Sequence, residues 1–352
     1  MVDAGEGCIG WGARDRDLMR GTVRPVPIQG SCSYTVYGGI RSEFIVQFRI
    51  QSLSLETTAL ARKIHGDLAP TTTYHGQLGD TSQEAVSVYS LGRIPGISYL
   101  EYHLTNNHAE DSEDNLALRA DLMVDLARYV VYCLTPGHCW QCRGRFFAAS
   151  WKAPQSIGPT SSEKLRQKYI RDLQLLLYHL PSRFHPIIQR SLDSMSSIFS
   201  LLPFVLSHAD FSSCNIIVHP VSGRLTGIID WAEATICPFG QNLYTLQDFS
   251  GTLHRDNDWR QYKDHDTLQE TFWQTFQQEV GVLSAEVMKA VRSARILGCL
   301  LTHGFIRRLA NEPFVVPIKD DEIGRYNMRY LDAYLVDAKT RFEDLIWVTN
   351  NG

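Results

Sequence analysis

The most informative part of this chain is Ser207-His-Ala-Asp-Phe-Ser-Ser-Cys-Asn-Ile-Ile-Val-His-Pro-Val-Ser-Gly-Arg-Leu-Thr-Gly-Ile-Ile-Asp-Trp231. Two apolar runs flank the turn Pro220-Val-Ser-Gly223, so the stretch predicts a short β-hairpin. Asp210 lies on the loop before the first strand, Asn215 at the start of that strand and Asp230 at the end of the second. In a tight hairpin Asn215 and Asp230 can converge on one cation. This layout is typical of phosphoryl transfer, in which Asp210 orients a hydroxyl nucleophile and the other two side chains hold Mg²⁺.

The composition of the 352-residue chain predicts a soluble globular protein of one large or two moderate domains. Apolar residues make up 44% and charged residues 20%, and the formal net charge is −4. Without a basic excess, nucleic acid is not expected as a partner. No apolar run reaches the ~18 residues of a membrane span, and no signal peptide is visible. The lone pair Cys139 and Cys142 lacks the further ligands of a zinc site. A reduced, cytoplasmic protein is therefore expected.

The first part of the chain predicts a small lobe built on an antiparallel sheet. Residues 1–24 form a loose leader, and residues 25–94 carry runs rich in β-branched and aromatic residues. The predicted elements are the strands Cys32–Tyr37, Phe44–Ile50 and Ala85–Leu91 and the helix Leu53–His65. Gly38 and Gly39 separate the first two strands and indicate a hairpin between them.

The remainder, residues 95–345, predicts a larger and mainly helical lobe that the hairpin of residues 207–231 interrupts. Apolar residues recur there at three- and four-residue spacing. The predicted helices are Asn115–Cys133, Ser162–His179, Phe184–Leu201, Thr267–Val280, Ala285–Ala310 and Gly324–Phe342. The fold class expected is therefore α+β and bilobal.

These motifs resemble a known family. The pattern His-x-Asp-x-x-x-x-Asn followed by Ile-Asp-Trp is similar to that of the aminoglycoside phosphotransferase and choline kinase group, which shares the protein-kinase-like fold. The run Trp231–Tyr244 and the segments Cys32–Tyr37, Ile45–Arg49 and Arg93–Ile97 resemble a fungal branch of that group. The resemblance implies that Asp210 is the catalytic base and that His208 gives structural support to the catalytic loop.

The same resemblance assigns the nucleotide to the small lobe. Residues 29–34, with Ser31 and Ser33, occupy the place of a phosphate-covering loop, although a segment with one glycine also fits an ordinary turn. The strand Val86–Gly92, with Tyr89, leads to the hinge, where backbone groups of the family pair with adenine. A plain buried strand would have the same sequence pattern.

One departure from the family concerns the lysine of the third strand, which holds nucleotide phosphates. The aligned residue is Gln47, which carries no charge. Arg49 is two positions further on and therefore on the same strand face, so it can supply the missing charge. Glu56 on the following helix is the acid expected to pair with Arg49; the alternative is an exposed arginine and an exposed glutamate.

A second departure is the segment Tyr129–Arg145. Its deletion leaves Leu126-Ala-Arg128 joined to Phe146-Phe-Ala-Ala-Ser-Trp151, which forms one uninterrupted amphipathic helix. Arg128-Tyr-Val130 can be encoded by a donor-like splice sequence, and Leu134-Thr135 by a branch-point-like one. The segment is therefore either a retained intron or a loop atypical of the family.

Together these observations predict a small-molecule kinase that transfers a phosphoryl group from ATP, or from GTP, to a hydroxyl with the help of Mg²⁺. The alternative is a kinase-like scaffold or binding protein that has lost the activity. A small-molecule substrate is the expected partner, with neither nucleic acid nor membrane, and the oligomeric state is left open.

Overall fold

The computed structural model describes residues 23–343 and 345, apart from positions 28, 31, 80–84, 107–108, 129–145, 254–257 and 307–314. Ser31, the segment 129–145 and nearly all of the leader 1–24 therefore lie outside the described residues. Among the residues that are described, no helix is long and apolar enough to cross a membrane.

The small lobe is a five-stranded antiparallel sheet in the order β1-β2-β3-β5-β4. Its strands are β1 (Arg24–Pro25), β2 (Tyr34–Gly38), β3 (Phe44–Arg49), β4 (Thr72–Leu78) and β5 (Val86–Gly92). Val36, Val46 and Val88 form a small apolar cluster. Because side chains alternate across a strand, Gln47 and Arg49 project from the face of β3 opposite to Val46.

Helix α1 (Leu55–His65) connects β3 to β4 and begins two residues after the predicted start at Leu53. The Ser54 hydroxyl accepts a hydrogen bond from the Thr57 backbone N–H at 3.2 Å, which caps the first turn. Gly66 ends the helix with a positive φ of 56° and donates its backbone N–H to the Arg62 carbonyl.

The large lobe is mainly helical and surrounds one extensive apolar core. Its helices are α2 (Tyr99–Thr105), α3 (Glu113–Ala127), α4 (Phe147–Lys152), α5 (Pro159–His179), α6 (His185–Asp193), α7 (Met195–Leu201), α8 (His265–Val280), α9 (Ala285–His303) and α10 (Arg325–Leu331), the last continued by a π-helical turn at Asp332–Val336. Its short strands are β6 (Ile97–Ser98), β7 (Phe204–Ser207), β8 (Ile216–Val218), β9 (Leu225–Ile228), β10 (Thr235–Pro238), β11 (Gly251–Leu253) and β12 (Trp259–Gln261).

Four of the predicted helices are shorter or divided in the structure. The predicted helix Asn115–Cys133 is α3, which ends at Ala127 and is followed by Arg128 in an extended conformation. The predicted helix Phe184–Leu201 is two helices, α6 and α7, which meet at Ser194, whose hydroxyl donates to the Arg190 carbonyl at 2.8 Å. Helix α9 ends at His303 instead of continuing to residue 310, because Phe305 pairs with Pro317 in an isolated bridge. The predicted helix 324–342 is α10 with its π-helical turn and ends at residue 336.

The connection between the lobes lies directly against the hairpin that carries the predicted site. Strand β6 pairs with β8, and β8 pairs with β9, in a three-stranded antiparallel sheet. Gly96, just before β6, has a φ of +138°, and a Cβ there would lie 2.4 Å from the Val218 carbonyl oxygen. Only glycine permits this close approach, so Gly96 sets the distance between the hinge and the hairpin.

Candidate active site

The catalytic loop between β7 and β8 is held by a buried histidine. His208 is fully buried, and its Nε2 lies 2.8 Å from the carbonyl oxygen of Ile229 on the opposite side of the site. Burial lowers the pKa of His208 to about 4, so the imidazole is neutral at pH 7 and its Nε2–H donates to that carbonyl. His208 therefore supports the loop and carries no charge.

The backbone of this loop is strained beside the predicted catalytic acid. Ala209 has a φ of +62°, which is uncommon for a residue with a side chain, and the Asp210 N–H donates to the His208 carbonyl at 2.8 Å. Strain of this kind costs on the order of 1–3 kcal/mol and is concentrated at functional sites. Asp210 is presented at the tip of a tight turn whose other end the buried His208 fixes.

Asn215 is connected to Asp210 and to the second strand of the hairpin at once. Its side-chain Nδ2 donates to the Asp210 carbonyl at 2.8 Å and to Asp210 Oδ2 at 3.0 Å. Its backbone carbonyl accepts a hydrogen bond from the Ile229 N–H at 2.9 Å. With the amide nitrogen directed at Asp210, the amide oxygen Oδ1 remains for a cation.

Asp230 follows β9 directly, in the left-handed conformation with a φ of 62°, and its side chain is exposed. The Ile229–Asn215 backbone bond brings the start of β8 next to Asp230. One carboxylate and one amide oxygen form a donor set that suits Mg²⁺, which retains several water or phosphate ligands. The described residues hold no cluster of three or more His, Cys, Asp or Glu side chains suited to a metal. The donor set of one carboxylate and one amide oxygen fits a cation that takes its other ligands from phosphate or water.

Gln47 from the small lobe faces this hairpin across a narrow recess. The recess is lined by Gln47, Thr58 and Asp230, together with Leu53, Pro70, Thr72, Leu91, Trp231 and Ala232. The structure thus brings Gln47, at the family's lysine position, and Asp230, the predicted metal ligand, to the same recess.

The predicted pairing of Arg49 with Glu56 is wrong. Glu56 is exposed in the first turn of α1, and among the described residues Arg49 forms no ion pair. Arg49 is instead 5% exposed, and its Nη1 donates to Gln47 Oε1 at 3.3 Å. Residues three or four positions apart share a face of a helix, whereas Glu56 and Thr58 are two positions apart and lie on opposite sides of α1. Thr58 is the residue of this pair that is buried.

Ser33 and Tyr89, the other described residues that were predicted to bind the nucleotide, make contacts within the small lobe, and their predicted roles stay predictions. The Gln29 side chain accepts the Thr35 N–H at 2.8 Å and donates to the Thr35 carbonyl at 2.8 Å, which closes the loop in which Ser33 lies. Ser33 Oγ lies 3.2 Å from Thr35 Oγ1. The hydroxyl of Tyr89 accepts a hydrogen bond from the Leu53 N–H at 3.0 Å, so Tyr89 fixes the linker before α1.

A sequence match extends over the site. Residues 59–274, which include the catalytic loop and the whole hairpin, match the phosphotransferase enzyme family. The chain belongs to this family. The matched range begins within α1, so Gln47 and Arg49 precede it.

Solved structures of this phosphotransferase group resemble the fold at low sequence identity. A choline/ethanolamine kinase family protein from Mesorhizobium loti has a TM-score of 0.46 at 13% identity, with 81% of this chain and 78% of that chain covered. A macrolide 2'-phosphotransferase from Brachybacterium faecium gives 0.46 at 13% identity over 82% and 86%. An aminoglycoside phosphotransferase from Streptomyces rimosus gives 0.43 at 12% identity over 80% and 92%. No curated protein matches the chain. The described residues confirm the predicted α+β fold of two lobes, a small lobe built on an antiparallel sheet and a larger, mainly helical lobe.

The structure also shows supporting residues that the sequence did not reveal. Asp125 of α3 is fully buried and accepts hydrogen bonds from Arg224 Nε at 2.7 Å and from the Leu225 N–H at 3.1 Å. These bonds anchor the turn side of the hairpin to α3. Asp125 and Arg224 are 99 positions apart, so no local pattern could indicate the contact.

A second supporting group is an aromatic stack beneath the site. His65, the last residue of α1, lies 4.7 Å from the ring of Phe146 and 5.0 Å from that of Trp231, and Trp231 lies 4.7 Å from His208. Burial, with a smaller contribution from His208, lowers the pKa of His65 to about 3. Neither ring nitrogen of His65 has a partner among the described residues. A neutral imidazole therefore joins α1 to the catalytic loop by packing alone.

Proposed function

We propose that this family member is an ATP-dependent phosphotransferase that acts on a hydroxyl of a small molecule, with GTP as the alternative donor. The convergence of Asp210, Asn215 and Asp230 supports this proposal most directly. Asp210 is the group that would orient the acceptor hydroxyl and accept its proton as the oxygen develops charge. The bond from Asn215 Nδ2 holds the Asp210 carboxylate in one orientation, which reduces the cost of alignment.

The proposed metal site consists of Asn215 Oδ1 and the Asp230 carboxylate. A bound Mg²⁺ would supply positive charge against the phosphate oxygens. The left-handed backbone at Asp230 aims its carboxylate toward the recess that Gln47 also lines. Phosphoryl transfer requires mainly positioning and electrostatics, so these few residues account for most of the expected effect.

The uncharged Gln47 in the lysine position favours the second candidate, a kinase-like protein without activity. The intact hairpin argues against it. Substrate identity depends on helices and loops that vary among proteins sharing one fold. The fungal branch and the cytoplasmic location remain predictions.

The test is Mg²⁺-dependent binding and slow hydrolysis of ATP by the purified full chain, with GTP in parallel. We expect Asp230→Ala to lose metal-dependent binding. Asp210→Ala should bind nucleotide but hydrolyse it about 10²- to 10⁴-fold more slowly. Asp121→Ala, which removes a half-exposed acid of α3, is the matched control. If the wild type binds neither nucleotide with or without Mg²⁺, the proposed activity is wrong and partner binding becomes the working function.

A further inference from the structure

The buried guanidinium of Arg49 has an unusual environment. An arginine carries five N–H donors, yet the one side-chain hydrogen bond of Arg49 among the described residues goes to Gln47 Oε1, and its buried Nε has no partner. The residue is 5% exposed and has no acid beside it. Burying an unpaired charge costs several kcal/mol. The protein therefore maintains a positive charge behind Gln47 that none of its described acids neutralises.

The contact with Arg49 fixes the orientation of the Gln47 amide. Because Oε1 accepts from Arg49, the amide nitrogen Nε2 points away from the arginine. Gln47 lines the recess shared with Asp230, whereas Arg49 is not among the lining residues. A hydrogen bond from a cation to the amide oxygen also polarises the amide and strengthens its N–H groups as donors.

We propose that Gln47 and Arg49 act as a two-residue unit in place of a single cleft lysine. Gln47 Nε2 donates to a nucleotide phosphate oxygen, and Arg49 is a positioning residue that orients and polarises Gln47 without reaching the phosphate. This inference rests on the proposed nucleotide-dependent function. It differs from the simpler arrangement in which the Arg49 side chain contacts the phosphate itself.

The two arrangements predict different behaviour of a double variant. The experiment compares Arg49→Met, Gln47→Lys and the Gln47→Lys/Arg49→Met double variant, with the dissociation constant for Mg²⁺-ATP and the rate of ATP hydrolysis as readouts. We expect Arg49→Met to weaken Mg²⁺-ATP binding by about 10- to 100-fold, as expected for loss of a charge-assisted contact. In the Gln47→Lys background the same substitution should change binding less than about 3-fold, because the lysine makes Arg49 dispensable.

Gln47→Glu covers the case in which Arg49→Met does not fold. This variant keeps the acceptor for Arg49 and pairs the buried charge, but it removes the amide donor and adds a negative charge to the recess. We expect it to fold with unchanged or higher thermal stability and to lose Mg²⁺-ATP binding.

Three results would overturn the two-residue unit. The first is unchanged Mg²⁺-ATP binding by Arg49→Met, and the second is an equal loss from Arg49→Met in both backgrounds, which would indicate an independent phosphate contact. The third is normal nucleotide binding by Gln47→Glu. In each of these the wild type still binds nucleotide, so the proposed function stands. Absence of Mg²⁺-ATP binding by the wild type would instead overturn both.

Discussion

The contact between Asp125 and Arg224 gives a sharp test of how the hairpin is held. Asp125→Ala removes an acceptor that is fully buried and leaves the Leu225 N–H without a partner inside the protein. An unsatisfied buried donor costs about 1–3 kcal/mol, and breaking a buried ion pair costs about 3–5 kcal/mol. Because the Arg224 side chain is 37% exposed, water can solvate part of its charge. We therefore expect a loss of about 3 kcal/mol in the free energy of unfolding.

The net contribution of this ion pair is smaller than the cost of breaking it. Burial raises the pKa of Asp125, and the hydrogen bonds from Arg224 and Leu225 oppose this increase without overcoming it. Asp125→Asn retains an acceptor for the Leu225 N–H, so it should lose about half as much stability as Asp125→Ala.

The measurement is thermal unfolding of the variants together with Mg²⁺-ATP binding. For Asp125→Ala a loss of this size corresponds to a decrease in Tm of roughly 4–6 °C. Asp121→Ala is a close control, because Asp121 lies on the same helix, 3.9 Å from Arg224, with a half-exposed side chain. It should cost less than about 0.5 kcal/mol. Equal losses for Asp121→Ala and Asp125→Ala would refute the reasoning that burial and the Leu225 bond determine the effect.

Three further predictions concern the insert, the buried histidine and the hinge. Deletion of residues 129–145 should leave a folded protein of equal or higher Tm. The Phe146 N–H already donates to the Leu126 carbonyl at 3.3 Å, and closing a shorter connection costs about 1–2 kcal/mol less in chain entropy. Unfolding of the deletion variant would contradict this. Folding lowers the pKa of His65 from 6.5 to about 3. The stability of the folded state that depends on a neutral His65 is therefore present above pH 6.5 and is lost as the pH falls, by about 2 kcal/mol between pH 6.5 and 5. Denaturant unfolding of His65→Phe should lack that part of the pH dependence, whereas the exposed His179→Gln should retain it. Gly96→Ala should cost roughly 3 kcal/mol or more in thermal unfolding, whereas Gly158→Ala, where a Cβ meets open space, should cost under about 1 kcal/mol.

The sequence predicted those parts of the protein that depend on local spacing. Apolar periodicity indicated a β-rich lobe followed by a helical lobe, and the turn between β8 and β9 indicated the hairpin that carries Asn215 and Asp230. These predictions succeed because strand and helix periods are properties of neighbouring residues. Helix limits were less accurate where a side chain competes for the backbone, as at Ser194.

The tertiary structure decided which residues meet across long distances in the chain. The two-residue spacing placed Gln47 and Arg49 on one strand face, but nothing in the sequence indicated that Glu56 points to solvent, because the direction of a side chain on α1 depends on how the helix packs against the sheet. The Asp125–Arg224 bonds and the stack of His65 on Trp231 join segments about 100 and 165 positions apart. Local sequence therefore determined which side chains lie along the candidate site. The packing of distant segments determined how the hairpin is held to α3 and that the charge of Arg49 is buried.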